Sequence, residues 1–201
     1  VLRIPTYRLI ATVFMLAAMI IGAVQYWLPR HLTDQFGLNL AQSGLAATIW
    51  IQSATAVGLL LGGQWSDTWA QKWVSGRTLV QLIGLAALVP ALLVIGSGNS
   101  GPVLVSALII FGLGTALYLV NMWACTFEVV SPRERATAIG LSNLSNGVFS
   151  SWADPVIGHI ANSGVRLGSI LSFLSLPSLL TMLLLFWSIK YVFPRDYRGR
   201  V

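Results

Sequence analysis

Five stretches of the chain carry no Asp, Glu, Lys or Arg: residues 9–29, 35–66, 78–127, 136–153 and 167–189. A helix crosses the hydrocarbon core of a bilayer with about 20 mostly apolar residues. The run 78–127 is long enough for two crossings, and the cluster Gly96-Ser97-Gly98-Asn99-Ser100-Gly101-Pro102 divides it. So many turn formers in a row do not sit inside a helix and read as a tight loop. The pattern predicts six spans, near residues 9–29, 42–65, 78–96, 103–127, 135–159 and 167–190. Backbone groups must be paired in lipid, which leaves helices or a closed barrel. Barrel strands alternate apolar and polar residues, and these runs do not. The expected fold class is an all-α integral membrane protein. Composition agrees: 9% of residues are charged, against about 25% in a soluble chain.

Arg3 and Arg8 precede the first span, as in a signal peptide, but the apolar stretch overruns such a segment and lacks a small-x-small cleavage site. It reads as a span. Cys125 is the only cysteine, so no disulfide forms within the chain.

Six spans put both termini on one side of the membrane. On that side fall Arg3, Arg8, Lys72, Arg77, Arg133, Arg135, Lys190, Arg195, Arg198 and Arg200; on the other fall only Arg30 and Arg166. Basic residues in short loops stay in the cytoplasm, so both termini are expected there, in a plasma or bacterial inner membrane. Topology accounts for the net charge of +6, and no nucleic-acid partner is implied. The tail from Arg195 to Arg200 reads as a stop-transfer flank.

The spans differ in polarity. The third carries one polar side chain, Gln81, and the hydroxyls of the sixth (Ser169, Ser172, Ser175, Ser178 and Thr181) wind around its axis. Neither reads as a cavity wall. The second aligns Thr48, Gln52 and Thr55 on one face, beside a ladder of Ala54, Gly58 and Gly62 that admits a close neighbour. The fourth aligns Thr115, Tyr118, Asn121, Met122 and Cys125; the fifth aligns Asn143, Asn146, Gly147, Ser150 and Asp154. Gln25, Tyr26 and Trp27 stand near the outer end of the first. Amides in lipid turn toward one another or toward water. Helix gluing would need fewer of them, so a cavity is the favoured reading. His31 and His159 lie near outer span ends and read as interfacial, and no metal-ligand set appears.

Gly63-Gln64-Trp65-Ser66-Asp67, followed by Lys72 and Gly76-Arg77, resembles the G-x-x-x-D signature of the major facilitator superfamily, with Thr68 where a basic residue is usual and a longer loop. The segment from Glu128 through Pro132, Arg133 and Ala136 to Gly140 is similar to the family's acidic-Pro-Arg-x-x-A-x-G link between helices ten and eleven. Arg3 to Arg8, and Tyr26-Trp27-Leu28-Pro29 with Gly44, resemble the approach to helix seven and the start of helix eight. The fifth span has Pro155-x-x-Gly158 but not the G-P-x-x-G-G pattern of helix five in many antiporters. The resemblance therefore implies the C-terminal half of a twelve-helix transporter, built as two inverted three-helix repeats. It places the first, second, fourth and fifth spans toward the cavity and the third and sixth toward lipid, as polarity does.

The implied activity is secondary transport of a small solute by alternating access, as symporter or antiporter, with no enzymatic activity and no cofactor. The N-terminal half is the expected partner, with the solute and the bilayer. Gln25, Gln52, Tyr118, Asn121, Asn143 and Asn146 are the candidate solute-binding residues, and Asp154 the candidate for ion coupling. The resemblance assigns gating to Gly63, Asp67, Arg77 and Arg135. Gly63 is to allow close helix packing, and Asp67 and Arg135 are to meet and hold the cytoplasmic side shut. The alternative is a half-size six-helix protein, acting as a dimeric carrier or as a membrane subunit without transport.

Overall fold

A computed structural model describes residues 1–98 and 100–192. Asn99 of the expected loop, and the basic tail with Arg195, Arg198 and Arg200, lie outside the described residues. Among those described, every regular element is helical: α1 Pro5–Phe36, α2 Leu40–Ala70, α3 Gly76–Gly96, α4 Gly101–Val129, α5 Arg135–Asn162, α6 Leu167–Phe173 and α7 Ser175–Trp187.

Local chemistry sets the boundaries. Gly37 ends α1 in the left-handed region (φ 64°), and its N–H bonds the Thr33 carbonyl. Asn39 and Gln42 then form a capping box that starts α2, with the Gln42 N–H 2.8 Å from Asn39 Oδ1. Pro5 and Pro102 stand in the first turns of α1 and α4, where a missing N–H costs nothing. The sixth expected span is broken into α6 and α7 at Leu174. Pro177 has no N–H to offer the Phe173 carbonyl four residues back, so the ladder lapses there.

The helices run alternately up and down. At one end Tyr7 Oη donates to the Ala138 carbonyl (2.9 Å), joining the starts of α1 and α5. At the other, the ends of α1, α3 and α5 and the start of α6 surround one pocket. Packing is exchanged between the two trios. α4, the first helix of the second trio, lies along α2 and α3, while α1 lies along α5 and α7 of the second trio and along α2.

α4 is the wedge of the bundle. Two of its close contacts are made by backbone: a Cβ on Gly112 would fall 2.5 Å from the Ile51 carbonyl oxygen, and one on Gly84 2.6 Å from the Gly114 carbonyl oxygen. The ladder foreseen on α2 performs as expected, since Gly58 and Gly62 abut Ala116 and Leu117 of α4.

Burial separates the helices sharply. α4 buries fourteen of its 29 residues, whereas α5 buries only Ala138, Ser142 and Ile157 of 28. Five helical segments are long and apolar enough to cross a membrane: α1, α2, α3, α4 and the unit 167–192. α5 has the length but not the apolarity, because Asn143, Asn146, Ser150 and Asp154 occupy its middle.

Candidate functional site

The expected solute-binding residues divide into three groups. Gln25 of α1 and Gln52 of α2, both exposed, meet across a cavity of about 190 Å³ that Leu28, Ala47, Thr48 and Ile51 complete. Their amides make no hydrogen bond to the described residues and are free for a ligand. Asn143 is exposed on the open face of α5, and Asn146 beside it accepts a hydrogen bond from Ser150 Oγ (3.0 Å). Asp154 is half-buried on the same helix and takes part in no ion pair among the described residues.

Tyr118 and Asn121 behave otherwise. Both are buried inside the bundle, and Asn121 Nδ2 donates to its own helix at the Leu117 carbonyl (3.1 Å). Their face of α4 was expected to line a cavity. It is instead a packing face, because the glycine contacts let α2 and α3 close over it. Thr55 likewise turns onto α4, donating to the carbonyls of Ile51 (2.8 Å) and Gly112 (3.2 Å). Gluing accounts for α4; on α5 only Ser142 reaches another helix, at Tyr7 Oη (3.3 Å), and Asn143, Asn146 and Asp154 bond no other helix among the described residues.

The expected gate is also rearranged. Arg77, at the start of α3, holds two carboxylates at once, with Nη2 2.9 Å from Asp67 Oδ1 and Nη1 2.9 Å from Glu128 Oε1. The ends of α2 and α4 are thereby tied to the start of α3. Arg135 does not join Asp67. Its guanidinium donates to the Phe127 carbonyl (3.3 Å) and lies over the Phe127 ring, 4.9 Å from the centroid. The approach of Asp67 to Arg135 fails because Arg77, ten residues on in sequence, reaches the aspartate first.

Gly63 needs a second correction. A Cβ there would meet Val120 at an ordinary 3.7 Å, so the close approach belongs to Gly62, where it would stand 2.8 Å from Leu117 Cδ2. One residue is about 100° of helix, and the motif glycine faces past α4. Glu128, the second partner of Arg77, was not among the expected residues. Its signal was present in the acidic residue that opens the Glu128–Gly140 segment at the end of the fourth span. His31 also departs from expectation: it is buried, with Nε2 donating to the Ile95 carbonyl (3.0 Å), whereas His159 is exposed. No group of three or more metal-ligating side chains occurs among the described residues.

A solved bacterial homologue of the human lysosomal transporter Spinster, in an inward-facing and unoccupied conformation, matches the fold with a TM-score of 0.63 at 16% identity. That match covers 98% of this chain and 49% of the other. In sequence, the chain is 27% identical over 138 residues to YvkA of Bacillus subtilis, an MFS-type transporter, covering 69% of this chain and 29% of that one. It is 30% identical over 128 residues to the ectoine/proline transporter ProP of Corynebacterium glutamicum, covering 63% and 25%. The chain thus spans less than a third of these relatives in sequence and about half of the solved neighbour in structure. The family profile for the Major Facilitator Superfamily matches residues 1–153, and with the six-helix bundle this establishes the chain as a multi-pass membrane protein belonging to that superfamily.

Proposed function

We propose that this chain is the C-terminal half of a secondary transporter that carries a small polar solute by alternating access. The observation that carries the reading is α5, a 28-residue helix with three buried residues and a polar middle. A helix so thinly covered needs water or protein against its open side, and a second six-helix half would supply both a wall and a cavity. The two glutamines of the α1–α2 cavity and the two asparagines of α5 offer donors and acceptors but no basic group, which suits a neutral or zwitterionic solute. Asp154 is the carboxylate placed to couple an ion. At the opposite end the Asp67–Arg77–Glu128 cluster is the gate. Asp67 is largely exposed and keeps one oxygen free for the facing half. The basic residues at that end set it in the cytoplasm, together with both termini.

The test is a transport assay in proteoliposomes with both halves present. Gln52→Ala and Asn143→Ala are expected to raise the half-saturating solute concentration about tenfold, the effect of one lost hydrogen bond to a polar ligand, with melting temperature unchanged. Asp154→Asn is expected to abolish ion-driven uptake and to leave solute exchange intact. Wild-type behaviour in all three variants would refute this site. Transport by the six-helix chain alone would favour a dimeric carrier.

A further inference from the structure

The two arginines that break the charge asymmetry of the chain converge. Among the nine described Lys and Arg residues, only Arg30 and Arg166 stand at the outer end, where basic residues work against the topology. They are 136 positions apart, yet both line one pocket of about 550 Å³. Its walls come from the ends of α1, α3 and α5 and from the first turns of α6, at one end of the bundle.

The charges there do not cancel. Asp34 also lines the pocket, but it lies 3.9 Å from Arg30 Nε, a long contact between two exposed side chains. The Arg166 guanidinium forms no ion pair or hydrogen bond with any described residue, its backbone carbonyl alone accepting from Ser169 and Ile170. Beneath them the floor is fixed: His31 is buried and spends Nε2–H on the Ile95 carbonyl, 3.0 Å away. Gly96 and Gly168 bring α3 and α6 into backbone contact. The Ser169 and Ser172 hydroxyls border the pocket with no partner among the described residues. The lining therefore combines one surplus positive charge with free hydroxyl donors.

We propose that this pocket binds an oxyanion of the phosphate type, held between the Arg30 and Arg166 guanidinium groups with Ser172 as a further donor. Guanidinium forks match the paired oxygens of a phosphate. The volume admits either free phosphate or the phosphodiester head of an anionic lipid. The site is separate from the proposed solute cavity and does not depend on it.

The full chain is to be unfolded thermally in neutral micelles, with inorganic phosphate exchanged for sodium chloride at constant ionic strength. In parallel it is to be unfolded in phosphatidylcholine nanodiscs with and without phosphatidylglycerol. A rise in melting temperature with phosphate identifies a free anion, and a rise only with phosphatidylglycerol identifies the lipid head. In either case Arg166→Gln should weaken the apparent affinity about tenfold and Ser172→Ala several-fold, while Arg133→Gln at the opposite end should change nothing. No response to either probe, or a full response in Arg166→Gln, overturns the proposal.

Discussion

Replacing Arg77 with glutamine isolates the energetics of the Asp67–Arg77–Glu128 cluster proposed as the gate. The two ion pairs of Arg77 have equal lengths, 2.9 Å each, but unequal settings: the Asp67 side chain is 65% exposed and that of Glu128 18%. The first pair is screened by water and is worth about 0–1 kcal/mol. The second is different, because removing the arginine leaves a mostly buried carboxylate without its counter-charge, and Glu128 Oε2 is already unpartnered. Stranding such a group costs about 2–3 kcal/mol. Arg77→Gln should therefore destabilise the bundle by about 2–4 kcal/mol, and Asp67→Asn by less than about 1 kcal/mol. The diagnostic variant is the double Arg77→Gln/Glu128→Gln. It removes the stranded charge and should be more stable than Arg77→Gln alone. Reversible unfolding in mixed micelles, followed by circular dichroism, reads the wild type, Arg77→Gln, Asp67→Asn, Glu128→Gln and the double variant. If Arg77→Gln costs no more than Asp67→Asn, or if the double variant costs the sum of its parts, Glu128 does not depend on Arg77 and the reasoning fails.

Two shorter expectations accompany it. Gly112→Ala should destabilise by about 1–3 kcal/mol, since its methyl would meet the Ile51 carbonyl and Ala54 Cβ, whereas Gly147→Ala points into open space and should be neutral; equal melting curves would contradict the glycine seam. Cysteines placed at Ser97 and Ser163 should react with an impermeant thiol reagent from outside, and those at Ser75 and Ser131 only after permeabilisation; the reverse pattern would invert the proposed orientation.

Much of the fold was legible because lipid imposes a coarse code. Uncharged runs gave the helices, the Gly96–Pro102 cluster gave a turn, and the α2 ladder found its partner helix. Polarity predicted exposure only where it had a single explanation. On α5 the asparagines serve no other helix among the described residues, and their face is open. On α4 the same residue types were consumed by packing. Which face of a helix meets its neighbours depends on where the other helices close, and periodicity alone cannot supply that. The gate failed for a related reason. The sequence offered Asp67 several cations, and only the folded turn between α2 and α3 shows that Arg77 is the nearest. His31 is a third case. Its place at a span end read as interfacial, but the contact of Gly96 with Gly168 seals it in.

The sparse apolar surface of α5 also bears on how the chain is assembled in the membrane. A nascent segment enters the bilayer according to its own hydrophobicity, and polar residues near its centre oppose entry by a few kcal/mol. Among the described residues α5 is the one long helix that falls short on this measure, and its main neighbour in the bundle, α1, is made about a hundred residues earlier. α4 emerges immediately before it but touches it little, being lodged between α2 and α3. Stable insertion of α5 thus waits on a contact with an already inserted helix, and its arrival is the step of biogenesis at which this chain is most exposed to quality control.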